Sequence, residues 1–187
     1  FRMNQKTKGY LEIIISVVLV GILFVLVSYF VESNLEFFKG AINSYFPLGI
    51  FIFIALAIAE VVIAPTSIIP LIPLASKVWG PLLAAELIII GWAIGTTIIF
   101  IISRRYGKPL VKKLVSLEKI ERIENVLPKK SIFLNIVILR ILVPADLLSY
   151  AIALFTKIDY KLFIVSSIAG MIPLAFAFAY LGELPII

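Results

Sequence analysis

A glutamate and an arginine stand in the middle of apolar runs that prolines interrupt. Run 51–77 carries Glu60, followed by Pro65, Pro70 and Pro73. Run 131–157 carries Arg140, followed by Pro144 and Asp146. A charge at mid-bilayer depth is costly and persists where it faces a cavity, a partner or a pathway. An acid and a base so placed have two uses. They hold each other as an ion pair, or Glu60 exchanges a proton while Arg140 grips an anionic oxygen pair bidentately. A buried pair yields little net stability, because desolvation offsets its attraction, so the pairing leans toward function. Asp146 is a second candidate partner for Arg140, or a cap for the leg that Pro144 opens.

The setting for these groups is lipid. Of 187 residues, 62% are hydrophobic and 15% charged, more apolar surface than a soluble domain of this size can bury. With no cysteine and no histidine, the chain offers no disulfide, no thiolate and no common metal ligand or general base. We therefore expect no catalytic residue, no metal and no cofactor. The net charge of +6 fits a basic zone beside anionic lipid. Nucleic acid is a poor partner, because the basic residues flank apolar runs.

Three runs are long enough to cross a bilayer: 11–31, 82–103 and 162–181. The first exceeds a signal-peptide core and lacks a cleavage site, so it reads as a retained anchor. The proline-broken runs are different. Residues 131–143 would reach only about 20 Å before Pro144, short of a core about 30 Å thick. Proline removes a donor and disfavours helix in the residue before it. Two short legs, 131–143 and 145–157, then form a re-entrant hairpin. Residues 46–63 could cross alone, but the loop 104–130 carries nine basic residues and Lys6 and Lys8 precede the anchor. Both basic ends lie in the cytoplasm only if 46–79 dips in and returns. In 107–127, leucines and isoleucines recur every three or four residues, as on an interfacial helix or a solvated one packed on the protein. Tyr106, Tyr150 and Tyr160 read as interfacial belt residues.

A shift of 80 residues overlays the two broken runs. The shared order is short leg, charge, proline, short leg, lysine, crossing helix, with Glu60 on Arg140 and Lys77 on Lys157. Each crossing helix carries a small-xxx-small pair, Gly91–Gly95 and Ser166–Gly170, suited to close helix contact within the chain or between copies in a homo-oligomer. One crossing per unit makes the repeat inverted, an arrangement that places sites at the repeat interface near the midplane. The expected fold is thus an all-α integral membrane protein with three crossing helices and two opposed re-entrant hairpins. Its parts are an anchor and outer loop (1–45), repeat 1 (46–106), a basic amphipathic cytoplasmic linker (107–130) and repeat 2 (131–187).

Four stretches carry a family resemblance: AEVVIAPTSIIPLIPLASKVWGPLL, GTTIIFIISRRYGK, ILRILVPADLLSYAIALFTKIDYKLF and GMIPLAFAFAYLGE. Together they resemble the DedA superfamily, also called the VTT or SNARE-associated domain family, in its small prokaryotic branch. The likeness runs from about Pro47 to Glu183. Two places depart from the pattern: Ser76–Trp79–Gly80 replaces a glycine-rich turn, and Ala145–Asp146 replaces a second proline region. Members commonly carry one more C-terminal helix than these residues supply. The resemblance implies movement of phospholipid or polyprenyl-phosphate carriers between leaflets of the plasma (inner) membrane, often coupled to protons. It places the membrane-embedded acid at Glu60, the hairpin arginine at Arg140, the arginine after the central helix at Arg104 or Arg105, and a less secure acidic position at Asp146. The expected partners are membrane lipids with phosphate headgroups, with protons as candidate coupling ions. A proton- or cation-coupled carrier of small solutes and a non-transporting assembly factor are the alternatives.

Overall fold

The computed structural model describes residues 5–63, 67–111, 113, 117, 132–142 and 145–184. Among them every regular element is helical: α1 (Gln5–Ser33), α2 (Leu35–Ser44), α3 (Phe46–Val62), a 3-10 turn (Ile69–Leu71), α4 (Ile72–Trp79), α5 (Pro81–Tyr106), α6 (Lys108–Val111), α7 (Ile132–Leu142), α8 (Ala145–Phe155) and α9 (Tyr160–Glu183). The expected helix at 107–127 lies mostly outside the described residues, as do Pro65 and Pro144.

Local chemistry sets the helix ends. Gly80 (φ 84°) and Gly107 (φ 62°) bracket α5 in conformations that cost a side chain strain. Pro81 opens that helix, where its missing N–H is no loss, and Arg104 and Arg105 sit in its last turn, facing the negative end of the dipole. Asp159 caps α9 by accepting the N–H of Lys161 at 2.9 Å. Helices α5 and α9 have 26 and 24 residues and are long and apolar enough to cross a membrane. Helix α1 runs 29 residues without a break. By contrast α3 has 17 residues and α7 has 11, about 26 and 17 Å of rise. Each is followed by another short helix, α4 and α8, so the breaks fall where the prolines and short legs place them.

Helices α5 and α9 form the centre, and the two broken runs pack on them reciprocally. Helix α3 lies on α5 and α7 lies on α9, while α4 crosses to α9 and α8 crosses to α5. The two halves therefore trade their second legs. Glycines make the first contact of each half possible. A Cβ on Gly91 would stand 2.4 Å from the Ala57 Cβ, and one on Gly95 would stand 2.8 Å from the Val61 Cβ. In the second half, a Cβ on Gly170 would stand 2.7 Å from the Arg140 Cβ and 3.0 Å from the Val137 carbonyl. The Gly91–Gly95 pair thus serves a contact within the chain.

The surface is apolar, and small residues line part of the interior. Ile90, Ile94 and Ile101 of α5, and Val165, Ile172 and Leu181 of α9, are all at least 41% exposed. Ala84, Ala85, Ala175 and Ala179 are fully buried between the helices. Large apolar residues on the outer faces, with small ones where helices approach closely, suit helices solvated by lipid.

Helix α1 leans on α4 and the 3-10 turn. Lys77, with its side chain 7% exposed, donates to Glu32 at 2.9 Å and to the Leu184 carbonyl at 3.5 Å, which ties α1, α4 and the end of α9 together. Glu32→Gln should remove the charge partner of a buried ammonium. Because Glu32 is itself over a third exposed, we expect a loss of only about 1–2 kcal/mol. Thermal unfolding in detergent micelles measures it, and an unchanged midpoint would remove this latch from the account.

Candidate functional site

The site is built where the two halves meet the central helix pair. Glu60 lies in the last turn of α3, and the chain after the break folds back over it. Its Oε1 accepts the Ile68 N–H at 3.1 Å and the Ser67 hydroxyl at 3.2 Å, and its Oε2 accepts the Trp92 indole N–H at 2.8 Å. Ser67 and Ile68 come from the segment between α3 and the 3-10 turn, and Trp92 comes from α5. A carboxylate has two acceptor oxygens to satisfy, and this cradle supplies both. Nearby, the Val62 carbonyl at the end of α3, left without an intrahelical partner, accepts the Tyr150 hydroxyl at 2.8 Å. Tyr150 is 0% exposed, so it is an interior clasp between α8 and α3, not an interfacial belt residue. Tyr106 and Tyr160 are exposed, as a belt position requires.

Arg140 sits in the last turn of α7 and is 2% exposed. Its Nη2 donates to the Ser167 hydroxyl of α9 at 2.7 Å, and its guanidinium carbon lies 5.8 Å from the Phe163 ring centroid. Gly170, one turn further along α9, leaves room for the stem of the arginine.

These two groups lie at one depth. The end of α5 meets the start of α9: Thr97 and Tyr160 hydroxyls are 3.3 Å apart, and the Phe100 and Phe163 rings stack at 4.8 Å. At the other end, Gly182 of α9 touches Pro73 and Ser76 of α4, which leads through Gly80 into α5. The long helices are therefore antiparallel. Trp92 lies about one and a half turns before Thr97, and Ser167 about two turns after Tyr160. The anchors of Glu60 and Arg140 thus fall within about a turn of each other, near the middle of the helix pair. Among their described contacts, Glu60 is held by Trp92, Ile68 and Ser67, and Arg140 reaches Ser167.

The remaining candidates lie elsewhere. Arg104 is exposed, donates to the Ile158 carbonyl at 3.0 Å and lies over the Phe100 ring at 5.0 Å. Arg105 is exposed with its guanidinium 5.8 Å from the Tyr106 ring. Both belong to the end of α5, more than three turns beyond Trp92 and away from the acid. Asp146 occupies the second position of α8. Pro70 lies in the 3-10 turn and Pro73 in the first turn of α4, packed against Gly182. Sequence reasoning missed Trp92, Ser67, Ser167 and Tyr150. One signal was available, since an indole N–H inside an apolar run needs an acceptor.

A family model for the VTT domain matches residues 64–184. The chain belongs to the VTT-domain (DedA) family. This makes it an all-helical membrane protein of a transport-related family, which agrees with its lipid-facing surface and its two long apolar helices. The match begins at the break after α3. Arg140, Ser167 and Trp92 lie inside it, whereas Glu60 lies just before it and is tied to the VTT region by the Trp92 bond. No curated protein and no solved structure matches the chain.

Trp92→Phe tests that bond. It keeps the packing of a large ring but removes one donor from a partly buried carboxylate, which should cost about 1–3 kcal/mol. Chemical or thermal unfolding reads the loss. A variant as stable as the parent would show that the cradle does not depend on the indole.

Proposed function

We propose that this VTT-domain protein moves phosphate-bearing lipid headgroups between leaflets, as a phospholipid scramblase or a polyprenyl-phosphate transporter. The two broken runs act as opposed re-entrant hairpins of an inverted repeat, and the headgroup passes between them while the acyl chains stay in lipid. The observation that carries this reading is Arg140: a 2% exposed guanidinium on an apolar helix, at the level of Glu60, within reach of the Ser167 hydroxyl. A phosphate oxygen is a far stronger acceptor for guanidinium than serine, so an entering headgroup displaces Ser167. The exchange of second legs supports a coupled opening. When α7 moves from α9, α8 moves with it, and the Tyr150 clasp on α3 transmits the shift toward the Glu60 cradle. Irregular backbone at this depth is tolerable only beside protein or a wet cavity, which suits a headgroup path. The reading places the N-terminus in the cytoplasm and the protein in the plasma (inner) membrane.

Proteoliposomes with a fluorescent phospholipid test it. Dithionite added outside bleaches the outer leaflet alone. Bleaching beyond that half, lost in Arg140→Ala, is the expected result. Bleaching that stops at half in the parent protein, alongside proton-linked uptake of a small solute, would transfer the assignment to a solute carrier. Inactivity in both assays would leave an assembly factor.

A further inference from the structure

A second site lies at the other end of α5, away from Glu60 and Arg140. Two stretches of chain about 54 residues apart in sequence converge there. The last turn of α5 supplies Arg104 and Arg105, the start of α6 supplies Lys108, and the α8–α9 connection with the first turn of α9 supplies Lys157 and Lys161. The Arg104 bond to the Ile158 carbonyl joins the two stretches, and Lys108, 4.8 Å from the Phe155 ring, joins them again. All five cations are exposed. Among the described residues of this group, the acid Asp159 accepts the Lys161 backbone N–H as a helix cap.

Three of the cations are held over rings: Arg104 on Phe100, Arg105 on Tyr106 and Lys108 on Phe155. Such contacts fix the direction of long side chains that would otherwise be mobile, which lowers the ordering cost of binding an anion. Exposed Tyr106 and Tyr160 stand in the same collar, and exposed Ile101, Leu162 and Val165 continue from it along the helices. A ring of cations above an apolar surface, with tyrosines at the boundary, matches the headgroup level of a bilayer. The charge calls for an anion, and the apolar surface beneath calls for acyl chains.

We propose that this collar is a binding site for anionic phospholipid, separate from the central arginine. Its charge selects phosphatidylglycerol-type headgroups over zwitterionic ones, and bound lipid braces the α8–α9 connection against the end of α5. The site is independent of any transport step.

The test uses the purified full-length chain in neutral detergent, titrated with dioctanoyl phosphatidylglycerol, dioctanoyl phosphatidylcholine or glycerol phosphate, with thermal unfolding as readout. Phosphatidylglycerol should stabilise at far lower concentration than phosphatidylcholine, and 0.5 M salt should weaken the effect. At about fivefold per basic residue near an anionic surface, Lys157→Gln/Lys161→Gln should raise the half-saturating concentration roughly 25-fold. Arg140→Ala should keep the response. Equal stabilisation by the two lipids, an unaltered double variant, or loss of the response in Arg140→Ala would each overturn the proposal. Glycerol phosphate acting as well as the lipid would overturn the assignment to a lipid. Salt dependence in the parent chain keeps the test decisive if the double variant does not fold.

Discussion

Arg140→Ala is expected to reduce headgroup movement in proteoliposomes by about two orders of magnitude, toward the protein-free leak. The substitution removes a charge-assisted, two-pronged contact to phosphate in a site where water competes poorly. Truncating one side of such a contact costs about 3 kcal/mol, and each 1.4 kcal/mol is roughly tenfold in rate. Arg140→Lys keeps a point charge but not the planar fork, so it should fall between, about tenfold below the parent. Stability separates this role from a purely structural one. Arg140→Met fills similar volume without charge and should melt near or above the parent, because burying a guanidinium is costly. A methionine variant that is stable and inactive supports the headgroup role. One that is stable and fully active would sink it.

Gly91→Leu should prevent assembly of the first half. Even one added carbon would stand 2.4 Å from the Ala57 Cβ and 3.3 Å from the Ile54 carbonyl, and neither is the movable tip of a side chain. Helices α3 and α5 would have to separate, which would also pull Glu60 away from Trp92. Gly91→Ala should cost about 1–3 kcal/mol, the range for overpacking a filled contact. Because the clash is with one methyl group, adding Ala57→Gly should recover part of that loss, and a double-mutant cycle measures the coupling. Gly21→Ala is the control: nothing stands within 4 Å of its added carbon, and alanine favours helix by up to about 1 kcal/mol. Thermal unfolding and gel filtration in detergent follow all four chains. If Gly91→Leu and Gly21→Ala behave alike, the α3–α5 contact is misassigned.

Depth and contact were legible to different degrees. Run length and proline spacing placed the breaks after α3 and α7, because a leg of about a dozen residues is too short to span the core. Proline by itself was not decisive. Pro173 lies inside a continuous α9, whereas Pro70 and Pro73 accompany an irregular segment. The difference is what surrounds them, since a freed backbone group is tolerated where neighbouring groups can satisfy it. The 80-residue shift rested on the order of legs, charges and prolines, while the small-xxx-small pairs marked where backbones approach, as Gly91 does Ala57 and Gly170 does Val137. It could not show that α4 and α8 trade partners.

The order of residues determined by itself that this chain lives in lipid, that two of its apolar runs are broken into short helices, and that Glu60 and Arg140 are its costly charges. Those conclusions rest on composition, span length and the penalty for burying charge, all of which are local quantities. Only the tertiary structure decided what each charge touches: Trp92, Ile68 and Ser67 for the acid, Ser167 for the base, and Tyr150 closing the end of α3. Hydrogen-bond partners drawn from segments 32, 27 and 88 residues away depend on how helices cross. Crossing geometry follows from side-chain packing summed over the whole bundle, which no single stretch of sequence encodes.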